Sequence, residues 1–171
     1  MDDTIINNIN EKVGKKDRLF VLGDFSMQEN RGVYLRRINC ENIWLITGNH
    51  DKRPSISDGF SRVEIYHKEK FQLSNGTHKD VILFHYPILE WDGWFHGSFH
   101  FFGHVHNGRN NQYKNELALD VGIDNHGYKP LSIFDIEAIM SKKKCGTPKE
   151  KQEKYQRLKT NQSSIIDESD A

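Results

Sequence analysis

The fold is decided by the stretch IWLITGNHD, residues 43–51, in which a short apolar run ends in Gly48, Asn49, His50 and Asp51. A run of this length with β-branched and aromatic residues is typical of a buried parallel strand. Three other apolar runs end in the same way: Leu19–Leu22 before Gly23 and Asp24, Val81–Phe84 before His85, and Phe99–Phe102 before Gly103, His104 and His106. Because parallel strands end at the same edge of a sheet, the sequence predicts an α/β fold with a ligand site at that edge.

Periodicity and turn residues predict the other elements around these strands. Apolar residues recur at helical spacing over residues 2–13, which predicts an amphipathic helix at the start of the chain. The remaining predictions are a short helix at Val33–Ile38, strands at Arg62–His67, Phe71–Leu73, Leu117–Val121 and Leu131–Phe134, a hairpin turn at Asn75-Gly76, and a helix capped by Asp135 and carrying Ile136, Ile139 and Met140.

The amino-acid composition differs between the main part of the chain and its C-terminal segment. The 171 residues contain 24 Lys and Arg and 24 Asp and Glu, so the net charge is zero and no global field attracts nucleic acid or an anionic membrane. Hydrophobic residues make up 36%, which is low for a packed domain and indicates a polar appendage. Residues 142–159 are strongly basic and the last few are acidic. We therefore predict a domain at residues 1–141 and a disordered tail at residues 142–171.

The sequence also bears on the cellular compartment of the protein and on the role of its cysteines. No apolar run is long enough to span a membrane, and the first residues lack a secretory signal, so a cytoplasmic protein without membrane contact is expected. The two cysteines, Cys40 and Cys145, are far apart and in no CxxC spacing. The sequence therefore predicts neither a disulfide framework nor a cysteine zinc site.

The residues at the strand ends share donor chemistry that suits a metal ion. They are Asp24, Asn49, His85, His104 and His106, which offer carboxylate, amide and imidazole ligands for Mn, Fe, Zn or a similar divalent ion. Taken singly, each has another explanation: a helix cap, a polar turn, a hydrogen-bonded core histidine or a surface loop. Their common position after four strands favours a metal site.

These motifs, in this order over about residues 19–135, resemble the calcineurin-like metallophosphoesterase superfamily. The resemblance implies a two-layer β sandwich flanked by helices, an αββα arrangement, with two divalent metal ions. By that resemblance Asp24 bridges the ions, Asn49, His85 and His104 complete one ion, and His106 serves the other. His50 is then a catalytic group and not a ligand.

The chain departs from the family pattern in two places. It has no Asp-X-His motif on a strand before the first helix, so the first strand is expected to be missing and the domain to be N-terminally incomplete. One ion position is then complete, and the other retains only Asp24 and His106. In addition, Gly23-Asp24 is not followed by the Asp-Arg of protein phosphatases, which favours a small phosphoesterase and leaves Asp51 as the candidate that orients His50.

The resemblance implies hydrolysis of phosphomonoester or phosphodiester bonds in a small phosphorylated or nucleotide-like substrate. Two ions roughly 3.5–4 Å apart would share the attacking hydroxide. His50 is the predicted general acid, because an unperturbed histidine titrates near neutrality. Candidate phosphate ligands are Arg53, Arg109 and Lys129, for which solvated surface charge is the alternative. The aromatic stretch with Trp91, Trp94, Phe95, His96 and His100 forms either a wall beside the site or part of the core.

Two other functions remain open from the sequence. The incomplete ligand set is compatible with a catalytically impaired fragment or a non-catalytic binding module of the same fold. The basic segment Lys142–Lys159 is compatible with nucleic-acid binding, which would weaken steeply with salt.

Overall fold

The chain was analysed as a computed structural model that describes residues 1–28, 30–106, 112–147, 149–153 and 155–157. Its helices are α1 (Asp2–Lys12), α2 (Gly32–Leu35) and α3 (Ile133–Met140), and its strands are β1 (Arg18–Val21), β2 (Asn42–Ile46), β3 (Arg62–Glu64), β4 (Tyr66–Gln72), β5 (His78–Phe84), β6 (Phe99–Phe102) and β7 (Ala118–Asp120). Short 3₁₀ helices lie at Ile56–Asp58, Trp94–His96 and Ile123–His126.

The strands form two sheets with flanking helices, so the chain is an α/β structure, as the sequence predicts. The first sheet is parallel, in the order β1-β2-β3. The second has the order β4-β5-β6-β7, with β4 antiparallel to β5 and the other neighbours parallel. The predicted Asn75-Gly76 hairpin joins β4 to β5, with Gly76 at a φ of +80°.

Side chains of both sheets meet in one apolar cluster, which places the strand ends of the two sheets side by side. The alternating side chains of β5 show this, because Val81 and Leu83 lie in that cluster together with Ile46 of β2. Ile82 points to the other face of its sheet, where it packs with Trp94. The strand ends that carry the predicted ligands therefore lie close to one another.

Helix α1 covers the opposite face of the first sheet. Ile6 and Ile9, spaced for one helical face, are buried in a cluster with Leu19 of β1 and Ile43 and Leu45 of β2. The amphipathic helix predicted for residues 2–13 is thereby confirmed. No helix in the part of the chain that the structure describes is long and apolar enough to cross a membrane.

The prediction of a strand at Leu131–Phe134 is wrong. Helix α3 already begins at Ile133, and its N-cap is Ser132, whose Oγ accepts a hydrogen bond from the backbone N–H of Asp135. The Asp135 carboxylate accepts one in return from the backbone N–H of Ser132 at 2.7 Å. Asp135 is therefore the third helical residue of a capping box and not the cap, and this reciprocal pair overrides the strand propensity of the apolar run.

The strand predicted at Arg62–His67 is divided in two. β3 ends at Glu64 and pairs with β2, while β4 begins at Tyr66 and pairs with β5 of the other sheet. Ile65 lies between them and is 70% exposed. The chain changes sheets at this residue, and a local apolar pattern carries no information about such a crossing.

The first part of the predicted disordered tail packs against the domain. Lys143 donates from Nζ to the backbone oxygen of Tyr113 at 3.0 Å. Lys151 is only 5% exposed and donates to the backbone oxygen of Trp94 at 3.3 Å. Lysine stems bury apolar area while their ammonium groups reach carbonyl oxygens, so a basic segment packs without a large apolar face. Residues 158–171 lie outside the described residues.

Candidate metal centre

The structure brings together four of the five predicted metal ligands, namely Asp24, His85 and His104 with Asn49 beside them. Asp24 lies three residues after β1, His85 directly follows β5, and His104 lies two residues after β6. One ligand atom from each of these residues lies within 4.8 Å of the other two, and we call this group the metal triad. His85 is buried, Asp24 is half-buried and His104 is exposed, so the triad is rigid on one side and open to solvent on the other.

Hydrogen bonding fixes the tautomer of His85. Its Nδ1 lies 2.8 Å from the backbone oxygen of Leu22, which can only accept, so Nδ1 carries the proton. In the neutral ring the other nitrogen, Nε2, then presents a lone pair. It lies 3.0 Å from Oδ1 of Asn49 and 3.4 Å from Oδ2 of Asp24. Acceptor atoms converge at this point, which is the arrangement that a cation stabilises, and a backbone carbonyl on Nδ1 is a common partner of metal-binding histidines.

Two glycines let the strand-end loops approach the triad closely. A Cβ atom on Gly23 would lie 2.1 Å from Nδ1 of His85, and one on Gly48 would lie 2.3 Å from Oδ1 of Asp24. Real Cβ atoms do not approach that closely, so any side chain at either position would displace a triad residue. The Gly-Asp and Gly-Asn pairs recognised in the sequence are thus explained by space, and not only by turn formation.

Three of the predicted ligands have left-handed backbone conformations. The φ angles are +54° for Asp24, +69° for His104 and +43° for His106. Non-glycine residues rarely adopt such values, and those that do are concentrated at functional sites, where the surrounding structure offsets the strain.

Asp51 has a different position from the one expected for a partner of His50. It is 8% exposed, and its carboxylate accepts hydrogen bonds from the backbone N–H groups of Asp24 (2.7 Å), Phe25 (3.0 Å) and Gly48 (2.9 Å). Asp51 therefore ties two strand-end loops together. Three backbone donors bond to its oxygens, and among the described residues no hydrogen bond joins Asp51 to the imidazole of His50.

His50 is exposed and stands next to the triad. Its backbone N–H donates to Oδ1 of Asp24 at 2.9 Å, so its main chain is fixed to a triad residue. Because the adjacent Asn49 lies against His85, the imidazole of His50 extends from a loop that is held at two points. The backbone of His50 therefore lies beside the triad, and its side chain is exposed.

His106 is not part of the metal triad. Its Nδ1 lies 2.7 Å from Oδ2 of Asp124, and the ring is 76% exposed. The hydrogen bond to Asp124 is the main cause that raises the pKa of His106, and the charges of Asp120 and Asp24 act in the same direction. Among the described residues, His106 does not belong to a group of three or more His, Cys, Asp or Glu ligands, whereas Asp24 belongs to the triad.

The residues predicted to bind phosphate are exposed or undescribed, and the tryptophans predicted to form an aromatic wall are buried. Arg53 and Lys129 are exposed, in agreement with the surface-charge alternative, and Arg109 lies outside the described residues. Trp91 and Trp94 are 6% and 4% exposed and belong to the core on the outer face of the second sheet, so they cannot form a wall beside the site.

Sequence reasoning missed two residues at this centre. Asp124 was not recognised because nothing in a Gly-rich loop marks it as the partner of His106. Tyr86 directly follows His85, and its ring centroid lies 4.8 Å from that of His85 and 4.7 Å from that of His104. The signal that the sequence offers for Tyr86 is an aromatic residue directly after a predicted ligand.

Comparisons with known proteins give a fold and no function. No family model matches the chain. The uncharacterized protein MJ1445 of Methanocaldococcus jannaschii is 28% identical over 152 residues, which cover 84% of this chain and 77% of that protein. Among solved structures, the protein of unknown function AQ665 from Aquifex aeolicus is similar with a TM-score of 0.62 and 22% identity, over 81% of this chain and 84% of that one. This similarity shows a shared fold alone.

Proposed function

We propose that this chain is a metal-dependent phosphoesterase of the calcineurin-like metallophosphoesterase type, with the αββα arrangement of that superfamily. The observation that carries the proposal is the convergence of Nε2 of His85, Oδ1 of Asn49 and Oδ2 of Asp24 with His104 beside them. Two sheets that share an apolar cluster, with a helix on the outside of the first, support the fold assignment.

The donor set fits a divalent ion of the Mn, Fe or Zn class. Asp24, Asn49, His85 and His104 offer oxygen and imidazole nitrogen atoms and no thiolate. When bound there, such an ion polarises a phosphoryl oxygen and lowers the pKa of water towards neutrality. The open side of the triad, at the exposed His104, is where a phosphate group would enter.

His50 is the general acid in this proposal. The leaving alkoxide of a phosphate ester needs a proton, and the imidazole of His50 is the titratable group on the loop that Asp24 and Asn49 hold at the site. Asp51 acts through the backbone, because it fixes the loops that carry Asp24 and Asn49. The substrate would be a small phosphorylated or nucleotide-like molecule.

A second candidate function is a non-catalytic, metal-dependent binding module. The observation that favours it is that, among the described residues, a group of three or more His, Cys, Asp or Glu ligands is assembled at the metal triad alone. A chain with a single ion position could still bind a phosphate group without hydrolysing its ester. Turnover distinguishes the two functions.

Hydrolysis of bis(4-nitrophenyl) phosphate and 4-nitrophenyl phosphate by the manganese-loaded chain tests the proposal. We expect turnover that disappears in His85→Ala and persists in the control His78→Ala, since His78 is exposed at the start of β5, away from the triad. A folded chain that holds manganese and hydrolyses neither ester would overturn the enzyme proposal and favour the binding module.

The role of His50 has its own test. In His50→Ala we expect kcat for phenyl phosphate, which has a poor leaving group, to fall at least about 100-fold, the usual contribution of general acid catalysis. The fall for a 4-nitrophenyl ester should be much smaller, because its leaving group needs little protonation. Equal losses with both esters would show that His50 is not the acid.

A further inference from the structure

A cavity of about 470 Å³ opens directly beside the metal triad. It is lined by His104, by the apolar or aromatic side chains of Tyr86, Pro87, Leu89 and Val105, by Gln112 and by the buried Tyr113. This volume falls in the range of cavities that bind small organic molecules. A phosphate held at the triad would therefore have the cavity immediately to one side.

The cavity lining is unusual because large apolar side chains are left open to solvent. Tyr86 is 37% exposed and Leu89 is 66% exposed, although both belong to one short segment after β5. The ring of Tyr86 packs edge-on against His85, His104 and Phe84, with centroid distances of 4.7–5.5 Å. These contacts hold the aromatic ring in place at the entrance without covering it.

We propose that this cavity binds a planar aromatic group of the phosphate ester whose phosphoryl group lies at the metal triad. The inference rests on the proposed function and names the substrate class: an ester with an aryl group or a nucleobase. Aromatic and aliphatic side chains attract a planar ring by dispersion and by edge or offset stacking. The described residues that line the cavity include no Lys, Arg, Asp or Glu, so none of these residues offers an ionic partner to a polyanionic or sugar-phosphate chain.

The aromatic surface beside the triad belongs to the lining of this cavity, and not to the tryptophans that the sequence suggested. Trp91 and Trp94 are core residues, whereas Tyr86 is adjacent to a triad ligand and exposed. A substrate that spans the triad and the cavity would contact His104 with its phosphate and Tyr86 with its ring. Aromatic substituents should then strengthen binding, while phosphate alone should bind without any help from Tyr86.

Direct binding to the manganese-loaded chain tests this inference without turnover. The probes are inorganic phosphate, methylphosphonate and phenylphosphonate, with affinities measured by titration calorimetry. We expect phenylphosphonate to bind roughly tenfold more tightly than methylphosphonate, the effect of about one aromatic packing contact. In Tyr86→Leu and Leu89→Ser that preference should fall to roughly twofold or less, and in Leu89→Ser the affinity for inorganic phosphate should stay within about twofold of the wild type.

Two control variants distinguish the loss of the aromatic contact from a general effect of substitution. Tyr86→Phe should retain the preference, and Phe134→Ala, which removes a 65% exposed ring on α3, should not change it. Equal affinities for the two phosphonates, together with normal phosphate binding, would overturn the aromatic cavity and leave the proposed function intact. Failure of all three probes to bind a chain that holds manganese would overturn the phosphate site, and the inference with it.

Discussion

Nε2 of His85 lies 3.0 Å from Oδ1 of Asn49, although the two residues are 36 positions apart in the chain. Asn49 follows a strand of the first sheet, and His85 follows a strand of the second. The contact exists only when the two sheets are packed together. The candidate metal centre is therefore a property of the assembled fold, and an ion bound there would stabilise the native state without binding the unfolded chain equally well.

The first prediction is that manganese binds with about one ion per chain and raises the free energy of unfolding. At a free concentration of 100 times Kd the gain should be about 2.7 kcal/mol. His85→Ala should lose both the ion and the gain, because Nε2 of His85 is the buried donor of the triad. Elemental analysis and urea unfolding with and without manganese give the result, and His78→Ala is the matched control. Two ions per chain would show that a second position forms despite the pairing of His106 with Asp124.

The second prediction concerns the carboxylate that joins the two loops. Asp51→Asn places an NH₂ group where three backbone N–H donors converge, so at least one donor is left unpaired. We expect a loss of about 3 kcal/mol in the free energy of unfolding and weaker manganese binding. Asp80→Asn is the control, because Asp80 is a half-exposed surface partner of Lys68, for which the expected loss is less than about 1 kcal/mol. Equal losses in the two variants would refute the bridging role.

Much of the fold could be predicted because its strands are short apolar runs that end in polar residues. The run at residues 43–47 is strand β2 almost to the residue, and the same reading of three other runs placed Asp24, His85 and His104 at one edge. Their convergence follows from parallel pairing and from the packing of two sheets. At these positions the hydrophobic pattern of each segment agrees with its place in the fold, so the strands and the residues that follow them can be predicted from the sequence.

The remainder depends on contacts that leave no local pattern. Asp51 looks like a turn residue in the sequence, and only the fold reveals three backbone donors around its carboxylate. Trp91 and Trp94 lie in an aromatic stretch that suits a core as well as a binding wall. The sheet face that these tryptophans cover decides between core and binding wall, and only the tertiary structure shows which face that is.

The third prediction is that Gly48 tolerates no side chain. In Gly48→Ala the new Cβ would lie 2.3 Å from Oδ1 of Asp24 and 2.8 Å from Cε1 of His85, so a triad residue must move. We expect a loss of about 1–3 kcal/mol in the free energy of unfolding, as for other overpacked sites, and manganese affinity at least about tenfold lower. Gly146→Ala is the control, because its nearest new contact is 3.4 Å away. Unchanged manganese affinity in Gly48→Ala would contradict the described geometry.

His100 is a buried histidine that the proposed chemistry does not use. It is fully buried between Trp91 and Phe102, with ring centroids 5.3 Å from each. Nδ1 donates to the backbone oxygen of Ile82, and Nε2 accepts from the backbone N–H of Ile88, both at 3.2 Å. Burial lowers the pKa of His100 to about 4, because the charged ring would lose its hydration, and the hydrogen bond to the Ile82 backbone only partly offsets this effect.

The last prediction is that His100 makes the fold sensitive to mild acid. Its folded pKa is about 4 and its ordinary value is 6.5, so the unfolded chain takes up a proton first as the pH falls. The contribution to stability is complete above pH 6.5 and decreases down to about pH 4, by up to 1.4 kcal/mol per pH unit. His100→Gln keeps a donor and an acceptor without this titration, so its loss of stability between pH 7 and pH 5 should be about 2 kcal/mol smaller than that of the wild type. Urea unfolding at the two pH values measures the difference, with the exposed His78→Gln as a control that should behave like the wild type. The same acid dependence in His100→Gln and the wild type would assign the sensitivity to other groups.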